Sequence, residues 1–231
     1  MKIGILQTGH VPEELEAAHG AYPKMFEILL AGNGFTYEAF PVVDGKFPES
    51  VRICDGWLIT GSRYGAYEDH PWISPLEKFI RNAYAADIPI VGICFGHQIL
   101  AQALGGKVEK FGGLWGVGNV EYKFTDGSTA RLHAMHQDQV IELPPDARVT
   151  ASSTICENAA LVYKGKAMSI QPHPEFTPEF MKELIRARSG TVIPKDQANP
   201  ALESLEFDHN SARIGQQIAD FFKQAVAEKA A

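Results

Sequence analysis

Apolar positions in the first half of the chain fall into short continuous runs separated by segments with helical spacing. Lys2–Gln7 (Lys-Ile-Gly-Ile-Leu-Gln), Thr36–Phe40, Gly56–Thr60 (Gly-Trp-Leu-Ile-Thr) and Pro89–Ile93 read as strands, and three of them are apolar enough for burial on both faces. Tyr22–Ala31 predicts a helix stopped by Gly32-Asn33-Gly34, and His97–Leu104 one stopped by Gly105-Gly106. Ser74-Pro75-Leu76-Glu77 joins an N-cap residue, a proline suited to the first helical position and a capping-box glutamate, and so predicts a helix to about Ala86. Strands alternating with helices predict a parallel sheet built from βαβ units.

From Lys107 to Gln171 the texture shifts to shorter alternating runs, such as Gly118–Phe124, Val149–Ser153 and Ala167–Gln171, which predict further, partly antiparallel strands. Thr177–Arg188 and Ser211–Glu228 carry an amphipathic helical pattern, and the polar stretch Ser189–Asn210 between them reads as a surface loop or lid. No repeat and no linker-like tract divides the chain. The expected organisation is one α/β domain over 1–231, with its chemistry within about 50–180 and a helical extension over 181–231.

Composition narrows the class. With 21 basic against 28 acidic side chains in 231 residues, the net charge is −7, and no run of lysine and arginine suggests a nucleic-acid or anionic-membrane surface. No uninterrupted apolar run reaches membrane-spanning length. Lys2–Gln7 lacks the flanks of a signal peptide. The 3 cysteines, Cys54, Cys94 and Cys156, cannot all pair and form no CxxC, so a reducing, cytoplasmic setting without a zinc cluster is expected.

The sharpest local signal is Gly92-Ile93-Cys94-Phe95-Gly96, which follows a strand and opens a helix. That is the context of a nucleophile elbow of the G-x-S-x-G type with cysteine in place of serine. A strand turning directly into a helix strains the backbone at the nucleophile, and only small neighbours let the turn close. The sulfur then lies at the C-terminal edge of the sheet and at a helix N-terminus, which favours the thiolate. Standing alone, the pattern fits a buried cysteine before an ordinary helix equally well.

A thiolate nucleophile needs a base, and the base an orienting group. In Gln171-Pro172-His173-Pro174-Glu175 the residues preceding proline are pushed to extended backbone, so His173 and Glu175 share a face. By itself this is also consistent with two exposed polar residues on a proline-rich loop; together with Cys94 it points to a catalytic set. An oxyanion hole would draw on the Phe95 N–H and on Gly61 or Ser62, after the third strand, although a plain turn explains that triplet as well.

Cys94-Phe95-Gly96-His97-Gln98, Leu104-Gly105-Gly106 and His173-Pro174-Glu175 together resemble a class I, triad-type glutamine amidotransferase domain over about residues 50–180. The resemblance implies a flavodoxin-like α/β fold with a mostly parallel central sheet, flanking helices and additional antiparallel strands. It further implies a Cys94 nucleophile that forms a γ-glutamyl thioester, His173 as base then acid, and Glu175 as its orienting partner. Gln98 matches a residue that contacts bound glutamine. Trp115 and Gly116, in the Gly112–Gly116 loop, fall where the family grips the amino-acid end of its substrate, and His136, in Met135-His136-Gln137-Asp138, falls on a segment lining the same cleft.

No P-loop and no G-x-G-x-x-G after a strand is present, so an ATP-using synthase half is not expected in this chain, and no cofactor is implied. The expected substrate is a small molecule, glutamine or another γ-glutamyl compound, with glutamate and ammonia as products and room for a separate synthase subunit that receives the ammonia. His19-Gly20-Ala21-Tyr22, Asp55–Ser62 and Glu68-Asp69-His70-Pro71-Trp72-Ile73 are similar to free-standing γ-glutamyl peptidases of the same superfamily, which leaves an autonomous peptidase as the alternative. A cysteine-elbow redox or deglycase-type protein is the third reading, disfavoured by His173 and Glu175. His133 and His136 have no evident third metal ligand. His97 is expected to pack behind the elbow, and Cys54 and Cys156 to be buried small side chains.

Overall fold

The computed structural model describes residues 1–112 and 114–230, so Gly113 of the predicted substrate loop lies outside the described residues. The strands are β1 (Lys2–Leu6), β2 (Thr36–Phe40), β3 (Gly56–Ile59), β4 (Ile90–Ile93), β5 (Lys107–Lys110), β6 (Gly116–Phe124), β7 (Thr129–His136), β8 (Asp138–Glu142), β9 (Ala147–Ser152), β10 (Ala160–Tyr163) and β11 (Ala167–Ile170). The helices are α1 (Glu13–His19), α2 (Tyr22–Leu29), α3 (Ile73–Ala85), α4 (Phe95–Ala103), α5 (Pro178–Arg188), α6 (Lys195–Ser204) and α7 (Ser211–Ala230). Among the described residues, nine strands form one sheet in the order β2-β1-β3-β4-β11-β10-β9-β6-β7, and β5 pairs with β8 in a small second sheet.

The half of the large sheet from β2 to β11 is parallel; β11 then pairs antiparallel with β10, and the remaining strands continue antiparallel. The α/β expectation therefore holds, with β11 as the seam between a doubly covered parallel half and an antiparallel extension. Period-2 alternation sends Leu6, Trp57, Ile59 and Ile90 to one face, where α3 and α4 pack, and Ile3, Ile5, Leu58, Val91 and Ile93 to the other, covered by α2 and α7. On α3 the buried positions Ile73, Leu76, Phe79, Ile80 and Ala83 form a stripe of helical period. A third apolar cluster, with Leu15, Tyr22, Phe176, Phe180, Leu184 and Ile193, joins α1, α2, α5 and α6 beside the C-terminal edge of the parallel strands.

Several predicted boundaries shift. Helix α3 starts at Ile73 after Trp72, with no side-chain cap, so Ser74 is inside it and no capping box forms. Glu77 instead accepts from Gln102 Nε2 at 2.8 Å, tying α3 to α4. Helix α4 begins at Phe95 rather than His97. The stretch read as a loop or lid contains α6, which is packed as a wall: Gln197 Oε1 accepts from the Trp115 N–H at 2.9 Å and Ser204 Oγ from the Asn119 N–H at 2.8 Å. Gly118, at φ +91°, permits this contact, because a Cβ there would lie 2.5 Å from Ser204 Oγ and 2.9 Å from the Ala201 backbone.

Backbone approaches backbone closely where α4 leaves β4. A Cβ on Gly92 would lie 2.3 Å from the Gly96 carbonyl oxygen, and one on Gly96 would lie 2.3 Å from the Ile59 carbonyl oxygen. Neither neighbour is a flexible side chain, so relief requires backbone movement. The Gly96→Ala protein is therefore expected to lose at least about 2 kcal/mol of stability, in the range typical of overpacking, read from urea midpoints at unchanged m value. A loss under about 0.5 kcal/mol would show that this contact does not constrain the elbow.

Candidate active site

Four neighbouring parallel strands, β1, β3, β4 and β11, deliver their C-terminal ends to one edge, where open α/β sheets place ligands. Cys94 follows β4 at φ 53° and ψ −105°, a left-side conformation that costs a non-glycine residue about 1–3 kcal/mol. Surrounding bonds hold it there. The Cys94 N–H donates to the Ile170 carbonyl at 2.9 Å, its carbonyl accepts from the Gln98 N–H at 3.0 Å, and the Gly96 N–H donates to the Thr60 carbonyl at 3.1 Å. The thiol is 4.0 Å from the Met135 carbonyl and almost fully buried.

His173 and Glu175 follow β11, and His173 lies beside Cys94. His173 Nδ1 meets Glu175 Oε1 at 2.7 Å, with both side chains buried, as the extended His-Pro-Glu backbone predicts. The segment is anchored from β7, since the His173 N–H donates to the His133 carbonyl at 2.7 Å. His133 Nδ1 in turn donates to the Phe176 carbonyl at 2.9 Å. Burial alone would push the His173 imidazole down, but the Cys94 thiolate and the Glu175 carboxylate beside it override that and hold it well above the ordinary histidine range. With Nδ1 committed to the carboxylate, Nε2 is the atom left for the sulfur.

Gly61 lies against both Cys94 and His173. A Cβ there would fall 2.8 Å from His173 Cε1 and 3.7 Å from Cys94 Cβ, so any side chain would intrude on the pair. The Thr8 hydroxyl, at the end of β1, lies 2.9 Å from the Thr60 carbonyl and 3.1 Å from the Gly61 carbonyl, which fixes this turn. The Phe95 N–H is the first of α4 and has no carbonyl one turn behind it in the helix. Phe95 contributes only backbone here; its ring is in the core against Trp72. Ser62 lines the adjoining cavity.

That cavity, of about 230 Å³, is bordered by Cys94 and His173 and also by Gln98, Trp115 and His136. Gln98 is tied to the protein, donating to the Asp138 carbonyl at 2.8 Å and to Gln171 Oε1 at 3.2 Å. His136 Nδ1 donates to the Asp138 carbonyl at 3.3 Å, and its Nε2 is buried with no partner among the described residues. Burial lowers this imidazole to about 4, so the ring is neutral. Gly116 stands outside the cavity lining; a Cβ on it would fall 2.4 Å from His136 Nε2, so its smallness makes room for that ring.

The other histidines take structural places. His97 bonds Ser169 Oγ at 2.8 Å in the core and is lowered to about 3 by burial. His133 and His136 each bind a backbone carbonyl, and among the described residues no three His, Cys, Asp or Glu form a group able to hold a metal. Cys54 and Cys156 are buried free thiols whose pKa burial pushes up, to about 11 and about 12. No helix among the described residues is long and apolar enough to cross a membrane.

Phe176, Tyr67 and Lys110 border the cavity without a local sequence mark, whereas Tyr22, Glu68 and Asp138 stand in the segments noted above for their family resemblance. Phe176 stacks parallel on His173 with centroids 4.0 Å apart, and Tyr22 stacks on Phe176 at 6.0 Å. Lys110, Glu68, Tyr67 and Asp138 gather at one end, where Tyr67 donates to Asp138 Oδ1 at 3.2 Å; burial raises the Asp138 carboxyl, opposed by that bond and by Lys110. Arg63, Tyr64, Arg188 and Val192 border the cavity as well.

A buried thiol at a strained elbow, an imidazole held by a carboxylate and two candidate backbone donors are the parts required for acyl transfer through sulfur. The family profile for class-I glutamine amidotransferases matches residues 48–189, and the chain belongs to that family. It is 31% identical to gamma-glutamyl peptidase 4 of Arabidopsis thaliana over 226 residues, covering 91% of this chain and 90% of the relative. It is also 41% identical over 143 residues, 58% of this chain and 74% of the relative, to one subunit of the glutamine-hydrolysing GMP synthase of Methanothrix thermoacetophila. The crystal structure of a glutamine amidotransferase from Methylobacillus flagellatus superposes with a TM-score of 0.76 at 22% identity, covering 98% of this chain and 94% of that one, which shows the shared fold.

Replacing Glu175 by Gln removes one of the two charges that hold the His173 imidazolium. Its deprotonation, followed by ¹⁵N NMR of the ring, is expected at clearly lower pH than in the wild-type protein, because an imidazole raised by an anionic neighbour loses its proton earlier when that neighbour is neutral. An unchanged titration would remove Glu175 as the group that sets His173.

Proposed function

We propose that this chain hydrolyses γ-glutamyl amide bonds through a thioester on Cys94, with γ-glutamyl peptides as its substrate class and glutamine as the simplest member. The observation that carries the reading is the meeting of Cys94 and His173 on the wall of one cavity, with His173 bonded to Glu175 outside it. The relative named gamma-glutamyl peptidase 4, matched along nearly the whole of both chains, supports an activity that needs no second domain.

In this mechanism the Cys94 sulfur attacks the γ-carbonyl carbon, and its proton resides on His173 Nε2. The carbonyl oxygen becomes an oxyanion facing the N–H groups of Phe95 and of Gly61 or Ser62, where one well-aimed donor contributes about 3–4 kcal/mol. Collapse breaks the C–N bond, and His173 gives its proton to the departing amine. Water, deprotonated by His173, then attacks the thioester; glutamate leaves and the thiol is restored. Glu175 stabilises the imidazolium in both halves of the cycle.

The γ-glutamyl group carries a carboxylate and an ammonium at its far end. Lys110 supplies a cation for the first, and Asp138 with Glu68 anions for the second, where Gln98 and His136 bond the Asp138 backbone; Trp115 borders the same cavity. Gly116 serves this subsite indirectly, by admitting His136. A second reading, ammonia delivery to a separate synthase subunit, is favoured by the similarity to the GMP synthase component.

Glutamate release by the purified protein from glutamine, a γ-glutamyl dipeptide panel and glutathione tests the assignment. Strong preference for the peptides is expected. The Cys94→Ala protein should release at least about 10³-fold less glutamate, as loss of a covalent nucleophile does, while unfolding at a midpoint no lower than wild type. Release from glutamine alone would favour the synthase-linked reading. A Cys94→Ala protein with near wild-type rate would end the thioester mechanism.

A further inference from the structure

The catalytic cavity does not end at Val192. A second cavity of about 480 Å³ adjoins it, bordered by His10, Val11, Pro12, Glu13 and Glu14 on the far side and by Ala187 and Thr191. Arg63, Tyr64, Arg188 and Val192 border both spaces, so these four residues are the partition between them. The Lys110, Glu68 and Asp138 cluster borders only the catalytic cavity.

We propose that Arg63 and Arg188 form a carboxylate-binding partition on the leaving-group side of Cys94, selecting γ-glutamyl compounds whose leaving group is an amino acid or short peptide with a free carboxylate. The proposal rests on the reading of the Cys94 site as a γ-glutamyl hydrolase and names what that site accepts beyond the scissile bond.

Both guanidiniums are available for such a ligand. Arg81 and Arg131 meet glutamates in ion pairs, whereas neither Arg63 nor Arg188 meets a carboxylate among the described residues. Arg63 lies over the Tyr64 ring, 5.0 Å from its centroid, and donates to the Tyr64 hydroxyl at 3.0 Å, which restrains its direction. Arg188 is half-buried at the end of α5, where its carbonyl accepts the N–H groups of Thr191, Val192 and Ile193 and fixes the turn beyond the helix. A cation in the last turn of a helix is favoured by the helix dipole, which accounts for an arginine at 188. It does not account for a second arginine on the same partition.

A guanidinium matches a carboxylate with two parallel N–H bonds, so two of them facing one space read a planar anion rather than a general negative charge. Glu13 and Glu14 limit where that anion sits. They border the far wall and repel a carboxylate that passes the arginines, so the anion belongs at the partition, a short distance from the scissile amide. Ammonia leaving from glutamine uses none of this space. The neighbouring cavity gives the side chain of the leaving residue somewhere to lie that does not displace the γ-glutamyl end from Lys110 and Asp138.

The test compares γ-glutamyl-alanine with γ-glutamyl-alaninamide, which share the scissile bond and differ in the terminal charge, using γ-glutamyl-anilide as a check on the chemistry. The wild-type protein is expected to favour the acid over the amide at least tenfold in kcat/KM, mainly through KM. Arg63→Gln and Arg188→Gln should each shrink that ratio, and the double variant should bring it within about threefold of unity, with partial recovery in the Arg188→Lys protein. The acid-to-amide ratio is insensitive to a general loss of activity, so a merely structural role would not move it. A wild-type ratio near unity overturns the proposal even if a variant fails to fold, as does a ratio that both variants leave unchanged. Hydrolysis of the anilide with no acid preference defeats the partition alone; no glutamate from any of the three defeats the hydrolase reading beneath it.

Discussion

Gly92 and Gly96 let the backbones of β4, α4 and β3 approach to distances that no side chain permits, and the position of Cys94 follows from that approach. The helix begins at the residue after the cysteine, which compresses the turn and leaves Cys94 at a positive φ. Hydrogen bonds from the neighbouring strands β3 and β11 hold the strained peptide from both sides. The sulfur therefore stands at the sheet edge by backbone geometry, before any side-chain contact with His173 is considered. Gly61 extends the same logic across the cleft, since a side chain there would intrude on both Cys94 and His173.

Around this frame the site is built by burial. The His173–Glu175 bond is sheltered from water, and Phe176 covers one face of the imidazole, so the ring can rotate little and the carboxylate acts at short range. His136 is kept neutral by burial a short way off, so it adds no positive charge against the imidazolium. The fixed charges of the cavity lie farther out and are separated: Lys110, Glu68 and Asp138 toward β5 and β8, Arg63 and Arg188 toward α5. In the proposed mechanism, a substrate with a zwitterionic head and an anionic tail would meet complementary charge at both ends, with Cys94 between them.

The parallel half of the fold was legible because burial on both faces leaves near-continuous apolar runs, and the elbow because sterics there demand glycines at fixed offsets from the cysteine. The His-x-Glu pair was legible because proline dictates the backbone preceding it. Helix α6 was not, since its buried contacts are small alanines and serine and glutamine hydrogen bonds, and Pro200 interrupts its pattern. The expected cap at Ser74 failed because Trp72 and Ile73, packed into the core, start the helix earlier than local capping favours. Phe176 is stacked on the imidazole, and Tyr22 on Phe176, by tertiary packing that no local pattern marks. Lys110, Arg63 and Arg188 come from three separate parts of the chain, where no local periodicity marks a shared cavity. Gly116 does not border the cavity; its smallness leaves room for the His136 ring, a packing effect that no local pattern marks.

In the proposed mechanism Cys94 carries the γ-glutamyl group between two half-reactions. The most direct measurement mixes the protein with a γ-glutamyl peptide, quenches in acid within a turnover and maps the modified peptide by mass spectrometry. The expected result is a γ-glutamyl adduct on Cys94 that hydroxylamine removes as the hydroxamate, in the same hydroxamate-to-glutamate proportion whichever γ-glutamyl substrate supplied it. An adduct confined to another residue, or partitioning that changes with the leaving group, would contradict a common Cys94 thioester.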